Sequence, residues 1–150
     1  DDEGRAYSWA TRKGGARMGA LGRPTPQEGG TAQHDDAHTT SITPEEMPGL
    51  VTLPGGARAV ECAAGDRHSV IIGTLGEVWT FGSNRWMQLG LAAWDKGSSH
   101  KVEPQRVNAL DNLQLKAHTA ACGADHTLVT STDGKIVGWG RGKEGQLGLV

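Results

Sequence analysis

Two segments of the chain pair β-branched and aromatic runs around a short turn, the pattern of a β-hairpin. His68-Ser69-Val70-Ile71-Ile72 and Glu77-Val78-Trp79-Thr80-Phe81 are separated by Gly73-Thr74-Leu75-Gly76. A second hairpin is predicted around Ser131-Thr132-Asp133-Gly134, where Asp-Gly is among the strongest short hairpin signals. Bulky residues then alternate along each strand that follows a turn: Trp79 and Phe81, Val137 and Trp139, and, near the N-terminus, Tyr7 and Trp9. The positions between them are smaller: Val78/Thr80, Ile136/Gly138 and Ala6/Ser8. A sheet with one wet face would carry polar residues there. The pattern instead predicts sheets covered on both sides, the bulky face of one against the small face of the next.

The hairpins are copies of one unit. Gly65-Asp66-Arg67-His68-Ser69 recurs 58 residues later as Gly123-Ala124-Asp125-His126-Thr127. The offset holds without a gap over 27 aligned pairs, nine of them identical. Gly76 falls on Gly134, Gly82 on Gly140, and Gln88-Leu89-Gly90-Leu91 on Gln146-Leu147-Gly148-Leu149. A partial third copy opens the chain. Gly4 to Trp9 aligns with Gly76 to Phe81 at an offset of 72, whereas Leu21-Gly22 matches Leu89-Gly90 at 68, which places four extra residues around Lys13-Gly14-Gly15. Two further strands per repeat are expected near Ala57–Val60 and Leu113–Ala117, giving the four short strands of a propeller blade.

The fold class predicted is therefore all-β, a partial propeller of four-stranded antiparallel blades. Residues 1–23 read as the end of one blade, 55–112 as a full repeat, and 113–150 as a second repeat that is incomplete at its C-terminus. Between them, 24–54 reads as an inter-blade insertion. From Pro24 to Leu50 it carries Glu28, Asp35, Asp36, Glu45 and Glu46 with no lysine or arginine, a composition expected to stay flexible and to suit a basic partner.

Composition narrows the function. Twenty-three glycines without a collagen period fit many tight turns. A formal charge of −2 provides no broad basic field, so direct binding of nucleic acid is not expected. Cys62 and Cys122 are too few for a disulfide framework and read as reduced core thiols. No run of 18 apolar residues and no secretory leader pattern is visible, so the reading is an intracellular protein of undetermined compartment, with no membrane contact. The chain opens Asp1-Asp2-Glu3 without methionine, and the expectation is a piece of a longer protein.

The motifs Cys122-Gly123-Ala124-Asp125-His126-Thr127-Leu128, Asp133-Gly134-Lys135-Ile136-Val137-Gly138-Trp139-Gly140 and Gly145-Gln146-Leu147-Gly148 resemble those of the regulator of chromosome condensation repeat family. The first full copy adds Gly65 to Ser69, Trp79 to Asn84, and Gln88-Leu89-Gly90. The resemblance covers about residues 55–149 and, more weakly, 4–23. It implies blades of a seven-bladed propeller. The family includes an exchange factor for a nuclear small GTPase, a plant ultraviolet-B photoreceptor, ubiquitin-ligase subunits and scaffolds, most of which use the propeller as a docking surface. The photoreceptor's Gly-Trp-Arg-His-Thr run is not matched, because Asp66 and Ala124 stand where its tryptophan should be.

Motifs that suggest other chemistry have simpler readings. Gly140-Arg141-Gly142-Lys143-Glu144-Gly145 fits a dinucleotide fingerprint, but no helix-forming stretch follows and its glycines belong to the repeat. His34 and His38 have zinc-ligand spacing inside a loop-forming stretch with no third ligand. His68 and His126 recur with the repeat, which argues for architecture, an imidazole satisfying buried backbone groups. No metal, cofactor or catalytic constellation is expected, and the chain is read as not an enzyme. Arg85, Trp86 and Trp94 lie outside the paired strands and are the candidate partner contacts, since arginine and tryptophan anchor interfaces. The expected function is a non-enzymatic protein-interaction scaffold, its partners a small GTPase or a large assembly. The alternative is guanine nucleotide exchange on a small GTPase.

Overall fold

The computed structural model describes residues 1–9, 21–22, 48–91 and 99–148. Within them the chain runs β1 Ala6–Ser8, β2 Gly49–Val51, a 3-10 turn at Pro54–Gly56, β3 Ala59–Ala64, β4 His68–Gly73, β5 Val78–Ser83 and β6 His100–Arg106. Helix α1, Asn108–Asn112, leads to β7 Ala117–Cys122, β8 His126–Ser131 and β9 Ile136–Gly140. Three antiparallel sheets result: β1-β2, β3-β4-β5-β6 and β7-β8-β9. They are blades of a β-propeller, the central one with all four strands.

The repeat is geometric as well as textual. His68 pairs with Gly82 and His126 with Gly140. The β3–β4 register shifts between Ala59 and Glu61, and the β7–β8 register shifts between Ala117 and Thr119, again 58 residues on. Each third strand closes in the same way: Ser83 N–H donates to the Arg67 carbonyl at 2.7 Å, and Arg141 N–H to that of Asp125 at 2.9 Å.

The predicted positions of the first strands need correcting. They run Ala59–Ala64 and Ala117–Cys122, later than Ala57–Val60 and Leu113–Ala117. Their sequences, AVECAA and AHTAAC, are alanine-rich and carry little intrinsic strand preference. Pairing with β4 and β8, and the side-by-side approach of β3 and β7, hold them extended. Leu113 instead ends α1, and Gln114 turns with φ +55°. The fourth strand, β6, contains Pro104, which is tolerated because an edge strand can do without one ladder donor. Residues 49–51, placed in the acidic insertion by the sequence reading, pair with β1 as β2. The rest of that insertion to residue 47 lies outside the described residues, as do His34 and His38.

The core lies between sheets, as the alternation requires. Val70, Ile72 and Val78 on the small face of the central blade pack with Val129, Val137 and Trp139 of the next. Ile71, Trp79 and Phe81 on its bulky face pack with Ala6, Val51 and Leu53 of the preceding blade. Cys62 does not join either cluster and is exposed, because β3 places it on an uncovered side. Cys122 is half-buried, and desolvation pushes its thiol up to about 11, so it is protonated at neutral pH.

Gly134 sits at φ +83° with nothing within 4 Å of the point a Cβ would occupy, so a substitution there meets backbone strain alone. Gly134→Val is expected to lose about 1–3 kcal/mol of stability, measured by denaturant unfolding. Gly134→Ala should lose less, because alanine lacks the β-branch that tightens the clash.

Candidate protein-docking site

The repeat signature builds the seam between blades. His68 is fully buried, and its Nε2 lies 2.9 Å from Thr127 Oγ1 of the next blade. The Thr127 hydroxyl donates to the Gln88 carbonyl at 3.0 Å, so it must accept from His68, which fixes the Nε2–H tautomer. That leaves His68 Nδ1 buried and without a partner. The His68 ring thus makes a bond between side chains of two blades. Trp139 Nε1–H donates to the same Gln88 carbonyl at 2.8 Å.

In the first two copies the glycine of Leu-Gly is a seat for the next blade's aromatic ring. At Gly90, φ is +65° and a Cβ would lie 2.8 Å from the Trp139 indole. At Gly22, φ is +62° and a Cβ would lie 2.6 Å from the Phe81 ring. The hydroxyl of Thr80 donates to the Leu89 carbonyl at 2.8 Å, and that of Ser8 to the Leu21 carbonyl at 2.6 Å. The weak first copy therefore uses the same contact as the central one.

The loop after the third strand has one backbone course in both blades and different side chains on it. Gln88 Oε1 accepts from Trp86 N–H at 2.8 Å, and Gln146 Oε1 accepts from Glu144 N–H at 2.9 Å. Met87 takes φ +62° where the other copy has Gly145 at +78°. In the central blade the loop thus presents Arg85-Trp86-Met87 in place of Lys143-Glu144-Gly145.

These loops meet over the seam. The Trp86 ring has the Arg85 guanidinium 5.7 Å from its centroid, that of Arg141 at 5.2 Å and the Lys143 ammonium at 5.9 Å. Arg141 is also held by Glu144 at 2.6 Å and, more loosely, by Asp125 at 3.9 Å. Hydrogen bonds from Gln146 and Arg141 lower the Glu144 carboxyl, keeping it charged. Of the candidate contacts, Arg85 is exposed and Trp86 half-buried, whereas Trp94 lies outside the described residues. Arg141 and Lys143 escaped the sequence reading because they are more than fifty residues from Trp86. The 58-residue offset was the available signal, since it aligns Lys143 with Arg85 and Glu144 with Trp86. Among the described residues no cluster of three or more potential ligands could hold a metal ion.

The regulator of chromosome condensation (RCC1) repeat model matches residues 76–130, and a second model of the same repeat matches 118–146. Residues 76–146 carry repeats of that family. The chain is 36% identical over 94 residues to the ultraviolet-B receptor UVR8 of Arabidopsis thaliana, covering 63% of this chain and 20% of the receptor. It is 41% identical over 91 residues to the human X-linked retinitis pigmentosa GTPase regulator, covering 60% of this chain and 8% of that protein. The solved structure of Prp20p from Saccharomyces cerevisiae, reported with that protein's binding to Gsp1p and histones, superposes with a TM-score of 0.72. Its identity is 25%, over all of this chain and 31% of that one. The chain therefore spans less than a third of each of these relatives. In RCC1-repeat terms, the seam is made largely by the repeat's own signature, and Arg85-Trp86-Met87 is a solvent-accessible stretch in which one repeat differs from its sibling at every position.

Thr127→Val removes a fully buried hydroxyl that links His68 to Gln88 and is expected to cost about 1–3 kcal/mol in an unfolding titration. His68 also carries a pH signature. Desolvation lowers its pKa below the ordinary 6.5, outweighing Asp125 and Asp66, which raise it, while His126 adds to the lowering. The unfolded chain then binds the extra proton more readily than the folded one. Stability should be fully present above pH 6.5 and fall as the pH drops from there towards the lowered value. Unfolding curves of His68→Gln should lack that component.

Proposed function

We propose that the chain is part of a non-enzymatic propeller scaffold that docks protein partners on the loop face carrying Trp86. The observation behind this reading is the contrast between sibling loops. With a shared backbone course and the same glutamine bond, the central blade holds a methionine in left-handed backbone and a tryptophan among cations. A non-glycine residue in that conformation costs on the order of 1 kcal/mol, and strain kept against such a cost favours a functional site. Tryptophan and arginine are also the residues that most often carry interface energy.

Capture of the full-length protein, followed by mass spectrometry of what accompanies it, tests this reading. Trp86→Ala, Arg85→Ala and Trp94→Ala are each expected to reduce recovery of the partner while leaving thermal unfolding unchanged. Full recovery with the Trp86 and Arg85 variants would remove this face from the docking role.

A second reading is guanine nucleotide exchange. It is supported by the relative named as a GTPase regulator and by the solved relative reported to bind Gsp1p. Under the scaffold reading, the purified protein leaves release of labelled nucleotide from candidate small GTPases unaccelerated. Acceleration, together with recovery of a GTPase that is lost on adding excess nucleotide, would put exchange first.

A further inference from the structure

We propose that the Trp86 cluster receives an acidic segment of a protein partner, a stretch of Asp or Glu residues whose carboxylates pair with Arg85 and Lys143 while its chain lies against the indole. The proposal rests on the docking reading above and names the chemistry of the partner.

Charge balance around the ring carries it. Three cations stand within 6 Å of one indole centroid, and the carboxylates that reach them, Glu144 and Asp125, are both on Arg141. Among the described residues Arg85 and Lys143 have no ion pair, only the ring. Arg141 Nε is sheltered from solvent and lacks an acceptor. The sibling loop shows what is missing: at the place of Trp86 the last blade carries Glu144, which neutralises Arg141. The central blade carries an aromatic surface in place of that acid, and Arg85 and Lys143 beside it are left uncompensated.

Cations over an indole are attracted by its negative face, by about 0.5–1 kcal/mol when exposed. This pre-positions them without satisfying their hydrogen-bonding groups. Carboxylates accept from guanidinium and ammonium groups in short, charge-assisted bonds, and the indole supplies apolar area beside them. Two free cations on a chain of net charge −2 fall far short of the row of phosphate contacts that holds nucleic acid. An acidic protein segment is the partner this balance favours.

The test uses a fluorescein-labelled peptide of alternating glutamate and glycine, with glutamine and phosphoserine versions, and anisotropy titration against the full chain. The glutamate peptide should bind saturably and more weakly as salt rises. Trp86→Ala should weaken it by about 30-fold or more. The double variant Arg85→Gln/Lys143→Gln keeps the ring and should abolish the salt dependence, with folding checked by thermal unfolding. Equal binding of the glutamine peptide, or binding indifferent to these substitutions, would overturn the proposal. So would binding of the phosphoserine peptide alone. If partner capture depends on Trp86 while the glutamate peptide does not bind, the acidic partner is refuted and the docking face stands. If neither depends on Trp86, both fall.

Discussion

One backbone carbonyl, that of Gln88, organises the join between the two best-defined blades. It accepts from the Thr127 hydroxyl and from the Trp139 indole, two side chains that arrive from neighbouring strands of the next sheet. Each polar group is buried or half-buried, so each needs its partner: an unmet donor there would cost about 1–3 kcal/mol. Meeting both from a single oxygen fixes the distance and tilt of one sheet relative to the other. The apolar contacts of Val70, Ile72 and Val78 with Val129 and Val137 supply area without that direction. Hydrophobic burial brings the blades together, and the carbonyl sets how they lie.

This division of labour explains what could be read from the sequence. Hairpins were legible because Val70-Ile71-Ile72 and the Trp79/Phe81 alternation state a period of two, and the turns carry glycine where φ is positive, as at Gly76 and Gly134. The first strands were mislocated because AVECAA and AHTAAC have no such period, and only pairing makes them strands. The fourth strand, HKVEPQR, contains a proline and, though a fourth strand was expected, its position was not legible for the same reason. The repeat itself was the strongest signal, yet identity of His68 and His126 could say only that the residue is architectural. That its ring reaches Thr127 of the next blade depends on how two sheets stack.

The same reasoning separates signature from singularity. A residue shared by both copies serves the fold, as Gln88 and Gln146 do in closing their loops on Trp86 and Glu144. Gly22, Gly90 and Gly148 share φ values of +62°, +65° and +63°, and the first two seat Phe81 and Trp139. Differing pairs that pack in the seam, such as Ser69/Thr127 and Phe81/Trp139, share that duty, and differing positions on the solvent-accessible loop are free of it. Arg85-Trp86-Met87 differs at every position from its sibling, including the one at which glycine would relieve the backbone. The arrangement around Trp86 was half legible: its aromatic and arginine neighbours in sequence pointed to it, and its cations from the next blade did not.

The cluster is also tied to the seam beneath it, which bears on how it could act as a docking site. Asp125 accepts from Gln88 Nε2 at 3.4 Å and attracts Arg141 at 3.9 Å, and the Gln88 side chain takes the Trp86 amide while its main chain takes Thr127 and Trp139. Gln88 is fully buried. The ring and one of its three cations are therefore positioned by a residue that also sets the blade-to-blade geometry. Holding interface groups in place before a partner arrives reduces the ordering cost of binding, which otherwise runs to about 0.5–1.5 kcal/mol for each long side chain immobilised. Arg85 and Lys143, exposed and lacking such a tether, remain the adjustable part of the surface. A rigid aromatic flanked by adjustable cations can accept carboxylates at more than one spacing, so selectivity would rest on the ring and the seam that holds it.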